Sequence, residues 1–249
     1  MKKTLFEIVD DILNDLDADK VNSIVDTVES EQVAQIVKTC YYEMMSNRNW
    51  PHLRKLIQLE GLGDVTKPNY LKAPDDIKEM VFFKYDIQKA GDVLPLLNNV
   101  EFKYQDEFLE MIARRTGDHI TQVEDFSGST FLIYNDRAPM YWTSFDDEYI
   151  VTDSWDSAVD TTLVQSKTQC LAYMFPAWTH EDDFIPDLPA AAFSGLIEEA
   201  KSTAFLALKQ MANQKAEQKA GRQARWLSRK AWQVQGGVRF PDYGRKGRK

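Results

Sequence analysis

The apolar residues of this chain change their spacing twice, and that change restricts the folds open to it more than any other feature. From residue 4 to about 16 they recur at helical intervals, on Leu5, Ile8, Val9, Ile12, Leu13 and Leu16, which predicts an amphipathic helix with one face toward a core. Thr4, followed three residues later by Glu7, has the form of a capping box and sets its start. A second helix is predicted from about residue 30 to 48, on Val33, Ile36, Val37, Cys40, Tyr41, Met44 and Met45. Trp50-Pro51 closes it, because the residue before a proline avoids helical backbone.

Between residues 53 and 173 the pattern becomes that of strands. Short β-rich runs cover residues 53–59, 79–85, 130–134, 140–145, 149–152 and 165–174, bounded by turn formers such as Gly61, Gly63, Asn135-Asp136 and Asp146-Asp147, with one short helix around Phe108 to Ile112. After a proline-punctuated stretch at 175–189, helical character returns. Residues 190–232 hold no proline and are rich in Ala, Lys, Gln, Glu and Leu, which predicts one long helix of roughly 60 Å at about 1.5 Å per residue. Its first half carries Phe193, Leu196, Ile197, Phe205 and Leu206; its second half is nearly bare of large apolar residues and is expected to project or to meet a partner.

The expected fold class is therefore α+β: an antiparallel helical bundle from the N- and C-terminal helices, with an inserted, mainly antiparallel β domain, a long C-terminal helix and an extended tail. The domains read as 1–52 with 188–233 for the bundle, 53–187 for the β insertion and 234–249 for the tail. A chain of 249 residues buries enough apolar surface to fold without staples. Cys40 and Cys170, its only cysteines, are expected to be buried thiols rather than a disulfide in a reducing compartment. Acidic residues interrupt the apolar run close to Met1, so no secretion signal is read there, and no segment reaches the eighteen or more apolar residues of a membrane helix.

Charge is unevenly placed. From Lys215 to Lys249 eleven Lys and Arg stand against Glu217 and Asp242, a net +9, which leaves −18 on residues 1–214 of a chain whose total is −9. An acidic body with a basic end implies that the end docks elsewhere, on an acidic protein surface or on nucleic acid.

Enzyme chemistry has no visible foothold. His52, His119 and His180 share no metal-ligand spacing, and the acidic run after His180 reads as a solvated loop. Gly61-Leu62-Gly63 lacks the third glycine of a phosphate-binding turn, and Ser127 has no nucleophile-elbow frame. The acidic Asp146-Asp147-Glu148 reads as a hairpin turn. No enzyme, metal or cofactor is expected.

Several strings have a recognisable form. They are Val25-Asp26-Thr27-Val28-Glu29-Ser30-Glu31-Gln32-Val33-Ala34, then Arg48-Asn49-Trp50-Pro51-His52-Leu53-Arg54, and Tyr70-Leu71-Lys72-Ala73-Pro74-Asp75-Asp76. The most distinctive is Ala138-Pro139-Met140-Tyr141-Trp142-Thr143-Ser144-Phe145-Asp146-Asp147-Glu148-Tyr149, followed by Asp153-Ser154-Trp155-Asp156-Ser157. Together, over residues 5 to 232, they resemble the tail tubular protein A family, the head-to-tail adaptors or connectors of short-tailed bacteriophages (podoviruses).

That resemblance implies a virion protein of the viral tail at the head–tail junction, made in the host cytoplasm. It implies a homo-oligomeric, twelvefold ring that binds the portal protein above and the tail nozzle, a tail tubular protein B-like chain, below, along with tail fibres or tailspikes. Genomic DNA would pass through its channel during ejection without sequence-specific binding, and no membrane insertion is implied. Arg225, Trp226, Arg229, Trp232, Phe240 and Tyr243 are the candidate portal-binding residues; Trp142, Phe145, Asp146, Asp147 and Glu148 are the candidates for the nozzle. The alternative is a phage DNA-binding or host-directed protein that uses the basic C-terminal tail. A portal-like or nozzle-like protein of another ring is disfavoured by length.

Overall fold

The computed structural model describes residues 2–89, 94–210 and 213–232, with side chains described as far as Leu227. The fold is mixed α+β. The chain forms two compact units, residues 1–53 with 175–249, and residues 54–174.

The first unit is helical. Helix α1 (Leu5–Asp15) begins where the capping box places it: the Thr4 side chain accepts from the Glu7 N–H, and the Glu7 carboxylate accepts from the Thr4 N–H. Its Leu5, Ile8, Val9, Ile12 and Leu13 are buried, each worth about 1.5–3 kcal/mol against exposure. Helix α2 (Val28–Ser46) starts two residues before the expected position, because Thr27 and Ser30 form a reciprocal cap there. It buries Val33, Val37, Cys40, Tyr41 and Met45.

The C-terminal region departs from expectation. In place of one long helix it forms α4 (Phe193–Lys209) and α5 (Gln214–Trp232), and α5 folds back along α4 instead of projecting. The Lys219 ammonium bonds the Glu198 carboxylate at 2.9 Å, and the Gln223 amide donates to the Ala191 carbonyl at 2.7 Å, so the two helices run antiparallel. The break falls at Gln210, whose left-handed φ of 53° ends α4. Good helix formers on both sides hide that break, since nothing in their propensities stops a helix. The seam has little large apolar surface: Ala216, Ala220 and Leu227 are buried on α5, and Leu227 joins the core that includes Leu196, Ala200 and Ala204. Gly195 admits the close approach, because a Cβ there would sit 3.1 Å from Gln223 Cγ.

Residues 175–187 also belong to the helical unit, not to the β insertion whose end was expected at residue 187. Trp178 and Phe184 pack against its core, and the Leu5 N–H donates to the Phe184 carbonyl at 2.7 Å.

The second unit is built on an eight-stranded sheet in the order β1-β10-β4-β5-β8-β9-β3-β2. Its strands are β1 (Arg54–Ile57), β2 (Glu60–Gly61), β3 (Tyr70–Lys72), β4 (Ile77–Asp86), β5 (Leu97–Phe102), β8 (Tyr141–Thr143), β9 (Tyr149–Thr152) and β10 (Thr168–Met174). All neighbours pair antiparallel except β5 with β8. A separate hairpin of β6 (Ile120–Glu124) and β7 (Thr130–Tyr134), with helix α3 (Gln105–Ala113), adds Val123, Phe131, Ile133, Phe108 and Ile112 to a core that also holds Tyr70, Phe83, Ile150 and Cys170. Alternation along β10, where Thr168, Cys170, Ala172 and Met174 are buried and the residues between them only half so, is what a strand with one inward face requires.

Candidate interaction surfaces

The hairpin of β8 and β9 carries the most distinctive sequence string, and the fold fixes it from below. Asp153, just past β9, is buried, and one of its carboxylate oxygens accepts from the Met140 and Tyr141 N–H groups, both at 2.9 Å. The other accepts from the Arg115 guanidinium at 2.7 Å. Arg115, also buried, donates to the carbonyls of Leu132 and Asp153 as well, and lies 4.3 Å from the Tyr134 ring centre. An ion pair withdrawn from water like this one survives because every donor aimed at the carboxylate is satisfied. Through Arg115 and the carboxylate together it ties the segment just after α3 to β7 and to the start of β8.

At the tip of this hairpin, Asp146 accepts from the Glu148 and Tyr149 N–H groups at 3.0 and 2.9 Å, the Ser144 hydroxyl accepts from the Asp147 N–H at 3.0 Å, and Asp147 holds a left-handed φ of 62°. Asp146, Asp147 and Glu148 are exposed together. The two aromatic candidates beside them point into different surroundings. Phe145 packs on Phe108 and Phe131, whereas Trp142 packs on Phe83 and Phe102. The acidic tip and Phe145 therefore form one patch; Trp142 belongs to an aromatic ridge with Phe102 and Tyr104.

Of the six candidate portal-binding residues, Arg225 is exposed and Trp226 is 46% exposed on α5. Arg229 and Trp232 lie on the same helix, beyond the last described side chain, and Phe240 and Tyr243 lie outside the described residues.

Groups able to do chemistry are tied into the structure. Cys40 and Cys170 are free and buried in different cores; burial pushes their thiols up to about 11 and about 12, which holds them protonated. Burial likewise raises the Tyr70 phenol, aided by its 2.7 Å bond to Asp125. Burial alone would raise the Asp125 carboxyl too, but hydrogen bonds from Tyr70 and Ser127 bring it below the usual range. The cleft beside Trp155, about 270 Å³ and lined also by Tyr85 and Asp86, holds three cations, each beside an aspartate: Arg137 with Asp136, Lys167 with Asp160, and Lys89 with Asp156 at 3.9 Å. Its charges answer one another instead of converging on a reacting point. Among the described residues no three His, Cys, Asp or Glu side chains are grouped to hold a metal ion, and no helix is long and apolar enough to cross a membrane.

Sequence reading missed the Arg115 to Asp153 pair, because 38 residues separate its members and Arg115 stands outside the distinctive strings. It also passed over Arg222, whose place on the exposed side of α5 follows only from which face the alanines bury. Neither a protein-family model nor a curated protein matches this sequence.

Proposed function

We propose that this chain is a head-to-tail adaptor of a short-tailed bacteriophage, a non-catalytic subunit of the ring that joins the portal to the tail nozzle and fibres. The observation that carries the reading is the resemblance of residues 138–157 to the adaptor family, a string that here makes one mechanical piece: strand β8, the acidic tip, strand β9 and the buried Asp153 anchor. Agreement with the implied architecture adds to it. The helical unit is built from both ends of the chain and the sheet unit is inserted between them.

Charge fits the same role. An acidic body beside a DNA channel repels the phosphate backbone and lets it slide, whereas a basic lining would bind it and resist passage. The nozzle side of the ring is assigned to the exposed tip Asp146-Asp147-Glu148 with Phe145. The portal side is assigned to the basic end of the chain, from the last turns of α5 through Phe240 and Tyr243.

The test is light scattering on the purified protein mixed with the portal ring of the same phage, with and without residues 234–249. An adaptor gives a mass increase matching a full ring of subunits, weakened by the truncation. Salt-sensitive binding to DNA, with no association with the portal, would move the assignment to the DNA-binding reading.

A further inference from the structure

We infer that α5 and the corner between α1 and α2 are two halves of a head-to-tail contact between copies of this chain: the outward basic stripe of α5 docks on the acidic and aliphatic corner at residues 25–31 of a second copy. The inference takes its occupant from the ring reading and names the surfaces that would close the ring.

Helix α5 has two unlike sides. Ala216, Ala220 and Leu227, successively four and seven residues apart, are buried with half-buried Gln223 toward α4. At about 100° per residue, Gln218, Arg222 and Arg225 fall opposite that seam, with Lys215 and Trp226 at its flank, and all five are exposed. No described carboxylate pairs with Arg222 or Arg225. An ordinary solvated helix face alternates its charges; here Glu217 is the one acidic residue of α5. Arg beside a half-exposed Trp is the composition that anchors protein interfaces.

The opposite chemistry stands at the corner between α1 and α2, in the same unit. Val25 and Val28 are 63% and 72% exposed, and Asp26, Glu29 and Glu31 are exposed around them. Stiff side chains left this far in water give up little freedom on being covered. The backbone under them is held firmly: the Asp26 carboxylate accepts from the Asn22 and Ser23 N–H groups at 2.6 and 3.0 Å, and the buried Ser30 hydroxyl donates to the Ile24 carbonyl at 2.9 Å. A rigid acidic knob with two valines complements a basic stripe with a tryptophan, in charge and in apolar content.

The two patches differ, so their meeting is heterologous, the kind of contact that repeats around an axis and closes a ring when its rotation allows. Nucleic acid is the weaker occupant for the stripe, because residues 1–214 carry −18 and repel phosphate as the helix approaches it. Arg225 and Trp226 are thereby assigned to the contact between copies, and the portal is left to the residues beyond them.

The test uses two differently tagged full-length variants, Gln32→Cys and Gln218→Cys, both exposed positions beside the proposed contact, mixed and treated with a short bismaleimide; the native thiols are buried. The expected product is a mixed dimer of one variant with the other, in excess over either variant with itself. Arg222→Glu with Arg225→Glu in the second variant lowers its yield about ten-fold, and Glu29→Lys with Glu31→Lys in the first restores it. Circular dichroism on each variant verifies its helices. Like-with-like products only, or no mixed product although the ring assembles on the portal, overturns the contact and leaves the adaptor reading standing. A mixed product with no ring on the portal supports the contact and overturns that reading. Loss of binding to a DNA duplex in the Glu variant, with an unchanged mixed product, overturns the contact too.

Discussion

Asp153 joins distant parts of the inserted unit, because its carboxylate accepts from the Arg115 guanidinium, from the consecutive N–H groups of Met140 and Tyr141, and from the Ser154 hydroxyl beside it. Replacing it with alanine leaves a buried guanidinium without its counter-charge, which costs about 3–5 kcal/mol, and frees two backbone donors besides. Asp153→Ala is therefore expected to lower the unfolding free energy in urea by at least that amount. Arg115→Met with Asp153→Ala should cost less than the two single changes together, since each single change strands the other's charge. Additive costs would mean that the pair is not coupled. None of this was legible in the sequence. Asp153 stands in the distinctive string and Arg115 in an unremarkable helix end, and only the folded chain brings them together.

At the scale of elements, the sequence was most readable where one local interaction decides a boundary. The Thr4 and Glu7 box gave the start of α1, and β7 and β9 run over the residues where apolar alternation placed them. Strands β2 and β3 escaped because they are two and three residues long, and β5 because its two asparagines and mostly exposed side chains show no alternation. The larger miss is the turn between α4 and α5. A left-handed glutamine carries no sequence signal, and an alanine-lined seam reads as the solvated half of a helix. That seam has a consequence for stability. With three buried small or medium side chains and two polar ties to hold it, α5 should open more readily than α2, whose face buries Val33, Val37, Tyr41 and Met45. Hydrogen exchange is expected to show the amides of 214–227 exchanging well before those of 33–45; equal protection would mean that α5 belongs to the cooperative core.

For the whole molecule, the sequence carried the division into a helical unit and an inserted sheet unit, since that division follows from the change in hydrophobic spacing. It carried the uneven charge as well, but not what the charge faces: the basic end begins on a helix folded against its own unit instead of projecting. The adaptor account rests on residues 138–157 and on the agreement between architecture and charge, and its central claim is that this chain is a fixed part of the particle. Quantitative mass spectrometry on purified virions, with the portal and major capsid proteins as internal standards, tests that claim most directly. The account predicts this protein at the portal's own copy number, within the error of the counting. Its absence from particles, or its presence only in infected-cell lysate, would contradict the account.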